Sequence, residues 1–187
     1  VELGPYSRDG WFHPGPAVFY VLAVPYRLLG STTAAMNAGA LLVNAASVAG
    51  VAAIARRYGG VRVAVIALVG GALLMRSLGP AEVRVPWNPY ITVLPYLLLV
   101  FLTWAMIEGE RWALPAAVAV ASFVAQTHIG YVLLAVPLVA VGAGWMLADA
   151  VVAVRRDRSD PALRRLVAPA AVAAGIGCTE PTSSRSS

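Results

Sequence analysis

The chain has 187 residues, 59% of them hydrophobic and 12% charged, with a formal net charge of +5 and a mean hydropathy of +0.74. Soluble domains carry about 25% charged residues, so this composition excludes an ordinary water-soluble domain, a disordered chain and a collagen-like one. It is the composition of a membrane protein.

A single cysteine, Cys178, excludes a disulfide scaffold, and two histidines, His13 and His128, cannot fill a four-ligand metal site by themselves. The sequence therefore calls for no metal and no cofactor. All 14 cations are arginines, and they lie in short pieces between apolar runs. A nucleic-acid binder clusters its cations on one face among aromatic platforms, so no nucleic-acid partner is expected and the charge reads as membrane topology.

In chain order, residues 1–15 form a polar, Gly- and Pro-rich segment. Pro16–Leu29 is apolar but broken by Pro25, and it carries Arg27 near its end. That stretch fits an interfacial helix lying along the membrane surface as well as a crossing. Six candidate spans follow: Thr33–Ala55, Val61–Leu78, Tyr90–Ile107, Trp112–Gln126, Gly130–Val154 and Leu166–Cys178. The fourth and sixth are short. Thr179–Ser187 is rich in Ser and Thr and reads as a disordered tail. The expected fold is all-α, a polytopic transmembrane helix bundle of about six spans, forming one domain over residues 1–178. Both ends read as truncated, because the chain opens on Val1 and its last apolar run stops short.

Cytoplasmic loops carry the excess of arginine. Arg56, Arg57, Arg62, Arg111, Arg155, Arg156, Arg158, Arg164 and Arg165 fall on one side of the six spans, and Arg27, Arg76 and Arg84 on the other. The first side is therefore expected inside, in the cytoplasm. The charge count leaves the first helix, and Arg8 before it, undecided. The outer side then receives the loop Gly79–Pro89 and the turn Gln126–Tyr131.

Three motifs stand out. Gly4–Pro16 contains Arg8, Asp9, Trp11, Phe12 and His13, and continues into Phe19-Tyr20. Trp and Tyr favour headgroup depth, where Arg8 and His13 suit a lipid phosphate. The bland alternative is an interfacial anchor without a ligand. Val85-Pro86-Trp87-Asn88-Pro89-Tyr90 sits at the mouth of a span, where Asn88 and Pro89 are explained by helix capping alone. Gln126-Thr127-His128-Ile129-Gly130-Tyr131 places four polar side chains between two spans. Polar groups near membrane depth are costly unless they face a cavity or one another. No nucleophile elbow, P-loop, HExxH or dinucleotide fingerprint is present.

The order of these motifs resembles the membrane-embedded glycosyltransferases of the GT-C superfamily, closest to the family 39-like protein mannosyltransferases, aminoarabinose transferases and their actinobacterial relatives. Trp11-Phe12-His13-Pro14-Gly15-Pro16 resembles the family's Lys/His-Pro-Pro-like opening of an interfacial helix, here Pro16–Leu29. Thr33–Ala55 followed by Arg56-Arg57 resembles its second span. Trp87-Asn88-Pro89-Tyr90 with Leu94-Pro95-Tyr96, and the 126–131 turn, resemble elements of the bacterial relatives. The likeness covers residues 4–175 and implies an outer N-terminus in the cell membrane.

It also implies a sugar delivered on a polyprenyl phosphate at the outer face and passed to an acceptor, with membrane lipid as the surrounding partner. A carboxylate would assist the acceptor hydroxyl, and Asp9 is the candidate, although it stands close to the His-Pro element where the family's acid lies well before it. Arg8, His13, Arg84 and His128 are candidates to stabilise the lipid-phosphate leaving group. Tyr20, Trp87, Asn88 and Gln126 are candidates to shape the sugar pocket. The family's first span and usual acidic motif would lie before Val1, so this chain alone is expected to be inactive. The competing expectation is a non-catalytic polytopic protein, a transporter piece or structural subunit. Bare span centres weigh against transport.

Overall fold

The computed structural model describes residues 3–7, 10–79 and 84–158, with the backbone alone at 156–158. Among them the named elements are all helical: α1 (Ala17–Leu28), α2 (Thr33–Leu78), α3 (Asn88–Ile91), α4 (Val93–Ile107), α5 (Ala113–Thr127), a 3₁₀ turn (Ile129–Tyr131) and α6 (Val132–Arg158). It divides into two compact units, Val1–Met146 and Leu147–Ser187. The described part of the second is the C-terminal stretch of α6. The sixth apolar run and the tail lie outside the described residues.

Three helical stretches are long and apolar enough to cross a bilayer: Thr33–Leu78, Asn88–Ile107 and Ile129–Arg155. The first has 46 residues, which in a straight helix would reach about 70 Å at 1.5 Å per residue. It is not straight. Gly60 has φ 73° and ψ −174° inside it, a left-handed conformation that a side chain would oppose. The chain folds back there, so that Leu41, Ala45 and Val48 of the first limb face Ala67, Gly71 and Met75 of the second across an apolar cavity of about 580 Å³. The Gly59-Gly60 pair separates the two spans read from the sequence. Thr32 starts the first limb, its hydroxyl accepting the Ala35 N–H at 3.2 Å.

Between α3 and α4 the helix is interrupted at Thr92, whose hydroxyl donates to the carbonyls of Asn88 and Pro89 at 3.1 and 3.0 Å. Pro95 removes the N–H that would have bonded the Ile91 carbonyl, which accounts for the break. The expected α-helical start at Tyr90 therefore lies two residues early, at Asn88. The capping role expected of Asn88 does not hold. Trp87 occupies the cap position and no side chain caps this helix.

Two cores hold the first unit together. The larger joins Leu99, Leu102 and Met106 of α4 to Ala113, Ala117 and Val124 of α5, with Ile54 and Ala135 at its edges. The smaller joins Val18 and Leu22 of α1 to Ala40 of α2 and Ile91 of α3. Val18 and Leu22 lie four apart, on one helix face. Opposite them Tyr20, Val24 and Leu28 are exposed, so α1 has one buried stripe and one open one.

At the end of the bundle away from these loops, Arg57 donates to the carboxylate of Glu110, and Trp104 Nε1 donates to Glu108 at 2.9 Å. The Tyr58 hydroxyl, and after it the Arg57 charge, hold the Glu110 carboxyl below its ordinary value. A carboxyl lowered in the folded state contributes stability that is complete above its unfolded pKa and is lost as pH falls through the folded value. Glu110→Gln is therefore expected to flatten the acid limb of a melting-temperature profile in detergent. An unchanged acid limb would show that this clasp does not couple the turn to α2.

Candidate functional site

The N-terminal segment is not irregular. Gly4 N–H bonds the His13 carbonyl at 3.1 Å, His13 N–H the Pro5 carbonyl at 2.9 Å, and Ser7 N–H the Trp11 carbonyl at 2.7 Å. Tyr6 and Phe12 pair as an antiparallel bridge, with their rings edge to face at 5.0 Å. Gly10, at φ 91°, serves the turn. Gly10 is the signal in the sequence that points to this reversal, since its positive φ suits glycine.

This hairpin lies against the turn after α5. Gly15 N–H bonds the Gln126 carbonyl at 3.2 Å, and the Ile129 N–H donates to His13 Nδ1 at 3.2 Å. The His13 and His128 rings stack with centroids 4.9 Å apart, and Tyr131 meets His128 edge-on at 5.9 Å. His13 is 4% exposed. Burial first, and the neighbouring His128 second, push its imidazole below the ordinary value, which favours the neutral ring.

All three sequence motifs meet here. Tyr6, Ser7, Trp11 and His13 of the hairpin, Trp87, Asn88 and Pro89 of the α3 start, and His128 and Ile129 of the turn line one pocket of about 340 Å³. Asn88 is 8% exposed. Beside it runs an apolar groove of about 360 Å³ between α1 and the same segments. Phe19, Leu22, Ala23, Tyr26 and Met36 line the groove, and Tyr6, Trp87 and Asn88 are common to both walls.

The expected site residues fall into three groups. His13, Trp87, Asn88 and His128 line the pocket. Gln126 stands behind it as a brace: its amide donates to Ser122 at 2.7 Å and its side chain fills the space where a Gly15 Cβ would stand. Tyr20 and Arg84 line neither cavity. Tyr20 is 60% exposed because it lies two residues from Val18, about 200° round the helix, and Arg84 is exposed. Arg8 and Asp9 lie outside the described residues. Tyr6, Ser7, Trp11 and Ile129 were not singled out. The two aromatics were visible in the motif, but only hairpin pairing turns them toward α3.

Chemically the described lining is an uncharged polar surface of imidazole, amide and hydroxyl groups set between indole faces. No carboxylate or cation belongs to it among the described residues. Nor do the described residues hold a cluster of three or more His, Cys, Asp or Glu side chains fit for a metal. Compared with known proteins, the chain matches no family model, no curated protein and no solved structure.

Proposed function

We propose that the pocket receives the sugar of a polyprenyl-phosphate donor and that the chain is part of a glycosyltransferase of the outer membrane face. One observation carries the reading: a polar, indole-walled pocket shares Tyr6, Trp87 and Asn88 with an apolar groove. A ligand with a hydroxylated head and a hydrocarbon chain would fill both, ring faces on the indoles and chain along Phe19, Leu22 and Tyr26. Ligand sites are commonly built this way, from apolar walls with a few placed polar groups.

In this reading the pocket end is extracytoplasmic, α1 lies along the interface, and about six spans cross the cell membrane. The arginine-bearing Arg56–Arg62 turn is then cytoplasmic, as arginine bias favours. Asp9 remains the candidate base and Arg8 the candidate phosphate partner by their place in the sequence beside His13. A second reading, a lipid-binding membrane subunit without catalysis, draws support from the lack of a carboxylate among the described pocket residues.

The test is transfer of radiolabelled sugar from a polyprenyl-phosphate donor in membranes holding the protein in its full-length form. Asn88→Ala is expected to lower transfer at least tenfold, about the 1.4 kcal/mol that a buried hydrogen-bonding group contributes. Donor binding without any transfer would leave the non-catalytic reading. Transfer unchanged in Asn88→Ala and Trp87→Ala together would contradict the placement of the sugar.

A further inference from the structure

The two imidazoles of the pocket are wired alike. His13 Nδ1 accepts the Ile129 N–H at 3.2 Å, and His128 Nδ1 accepts the Gly130 N–H at 3.2 Å. A ring nitrogen that accepts a hydrogen bond carries no hydrogen, so in each neutral ring the hydrogen lies on Nε2. Two consecutive backbone N–H groups of the 3₁₀ turn thus set the tautomers of two stacked rings. A hydrogen on His13 Nδ1 would forfeit its backbone bond to Ile129, 116 residues away in sequence, and the His128 ring lies 4.9 Å from that of His13.

The surroundings point the same way. The titratable groups facing the pair are Tyr6 from the hairpin and Tyr131 from the turn. The α3 segment contributes Trp87, Asn88 and Pro89, none of them charged. Arg8 and Asp9 lie outside the described residues. An ammonium group on a ligand would meet N–H donors and no carboxylate among the described lining. A carboxylate would leave water for a wall that shows no cation among the described residues. Either ion pays a desolvation cost that neutral donors return only in part. A hydroxyl oxygen pays little and accepts readily.

We infer that His13 and His128 act as a neutral pair of Nε2–H donors that selects an uncharged, hydroxyl-bearing ring over an amino- or carboxyl-bearing one. The inference deepens the sugar reading above and rests on it. It concerns which sugar class the pocket accepts, not whether transfer occurs.

The test uses the full chain with ¹⁵N-labelled histidine in lipid nanodiscs at pH 7.5, titrated with three soluble probes: methyl glucoside, methyl glucuronide and methyl glucosaminide. Both histidines are expected in the Nε2–H tautomer, and the glucoside is expected to shift both Nε2 signals at a concentration at least about tenfold below the charged probes. An Nδ1–H tautomer or an imidazolium on either ring would overturn the inference. So would equal or tighter binding of a charged probe, or no shift from any of the three.

Two variants separate ligand contact from mere bracing. His13→Asn keeps an acceptor near the Nδ1 position for the Ile129 N–H but lacks the Nε2 donor. It is expected to keep slow exchange at Ile129 and to weaken glucoside binding about tenfold. His13→Gln offers a donor near Nε2 and loses the backbone clip, so the two effects should reverse. Glucoside binding at the wild-type level in His13→Asn would reduce His13 to a brace and overturn the proposal. If the glucoside preference holds while no lipid-linked donor is turned over, the transfer reading falls and the selectivity stands. If charged and neutral donors are transferred equally well, the selectivity falls alone.

Discussion

Gly39→Leu is expected to lower the melting temperature of the chain in detergent by roughly 5–10 °C, the equivalent of an overpacking cost near the upper end of about 1–3 kcal/mol. A Cβ at Gly39 would stand 2.6 Å from Pro25 Cγ and 2.9 Å from Leu22 Cδ2. Neither can swing away cheaply. Pro25 is a ring within α1, and Leu22 is 4% exposed in the smaller core with Val18, Ala40 and Ile91. A leucine there forces α1 off α2 and carries Phe19 and Tyr26, the floor of the groove, with it. Gly70→Ala is the control, because a Cβ at Gly70 meets nothing within 4 Å. An alanine in an open helical position should stabilise slightly, by about 0.5–1 kcal/mol. Equal behaviour of the two variants would show that α1 is not seated on Gly39.

Gly4→Ala should have the larger effect on the site itself. A Cβ at Gly4 would stand 2.5 Å from the Gly15 carbonyl oxygen and 2.6 Å from the His13 carbonyl oxygen. These are backbone atoms, so no rotamer relieves the clash, and the Gly4 N–H bond to His13 must open. The hairpin then leaves the turn after α5, and with it goes the His13 contact to Ile129. The backbone amides of Ser7 and His13, both bonded within the hairpin, are expected to exchange with solvent at least tenfold faster, and glycoside binding should be lost. Unchanged protection of those two amides would mean that the hairpin closes without the Gly4 contact.

The class of fold was legible because hydropathy is a bulk property of each segment. Apolar runs separated by Arg56–Gly60, Glu108–Arg111 and Gln126–Gly130 mark helices whatever their neighbours are. The reversal near Gly60 was legible for a local reason, a Gly-Gly pair amid arginines. The roles of Asn88 and Gln126 were not. Asn88 has the sequence setting of a cap, yet Trp87 takes the cap position and Asn88, itself buried, lines the pocket with hairpin residues. Gln126 has the chemistry of a sugar ligand, yet Gly15, more than a hundred residues away in sequence, takes up its side chain.

Tight helix contacts were legible only in part for a similar reason. Gly70-Gly71 and Gly142-x-Gly144 have the small-residue pattern of close packing, yet of these only Gly142 makes a close approach, and Gly39 and Gly50 make the others between helices. What a glycine admits depends on the partner helix, which no local pattern names. The convergence of the three motifs had no local signal at all. It follows from the alternation of the helices, which returns the hairpin, the α3 start and the 126–131 turn to one end of the bundle.

That convergence is also where the account is most exposed. The decisive measurement is photoaffinity mapping with a polyprenyl-phosphate glucose that carries a diazirine on the sugar, in membranes, followed by peptide mapping. Labelling of residues 3–16, 85–91 and 126–131 together, displaced by unlabelled donor, is the predicted result. Labelling spread along the exposed face of α6, or labelling that unlabelled donor does not displace, would contradict it.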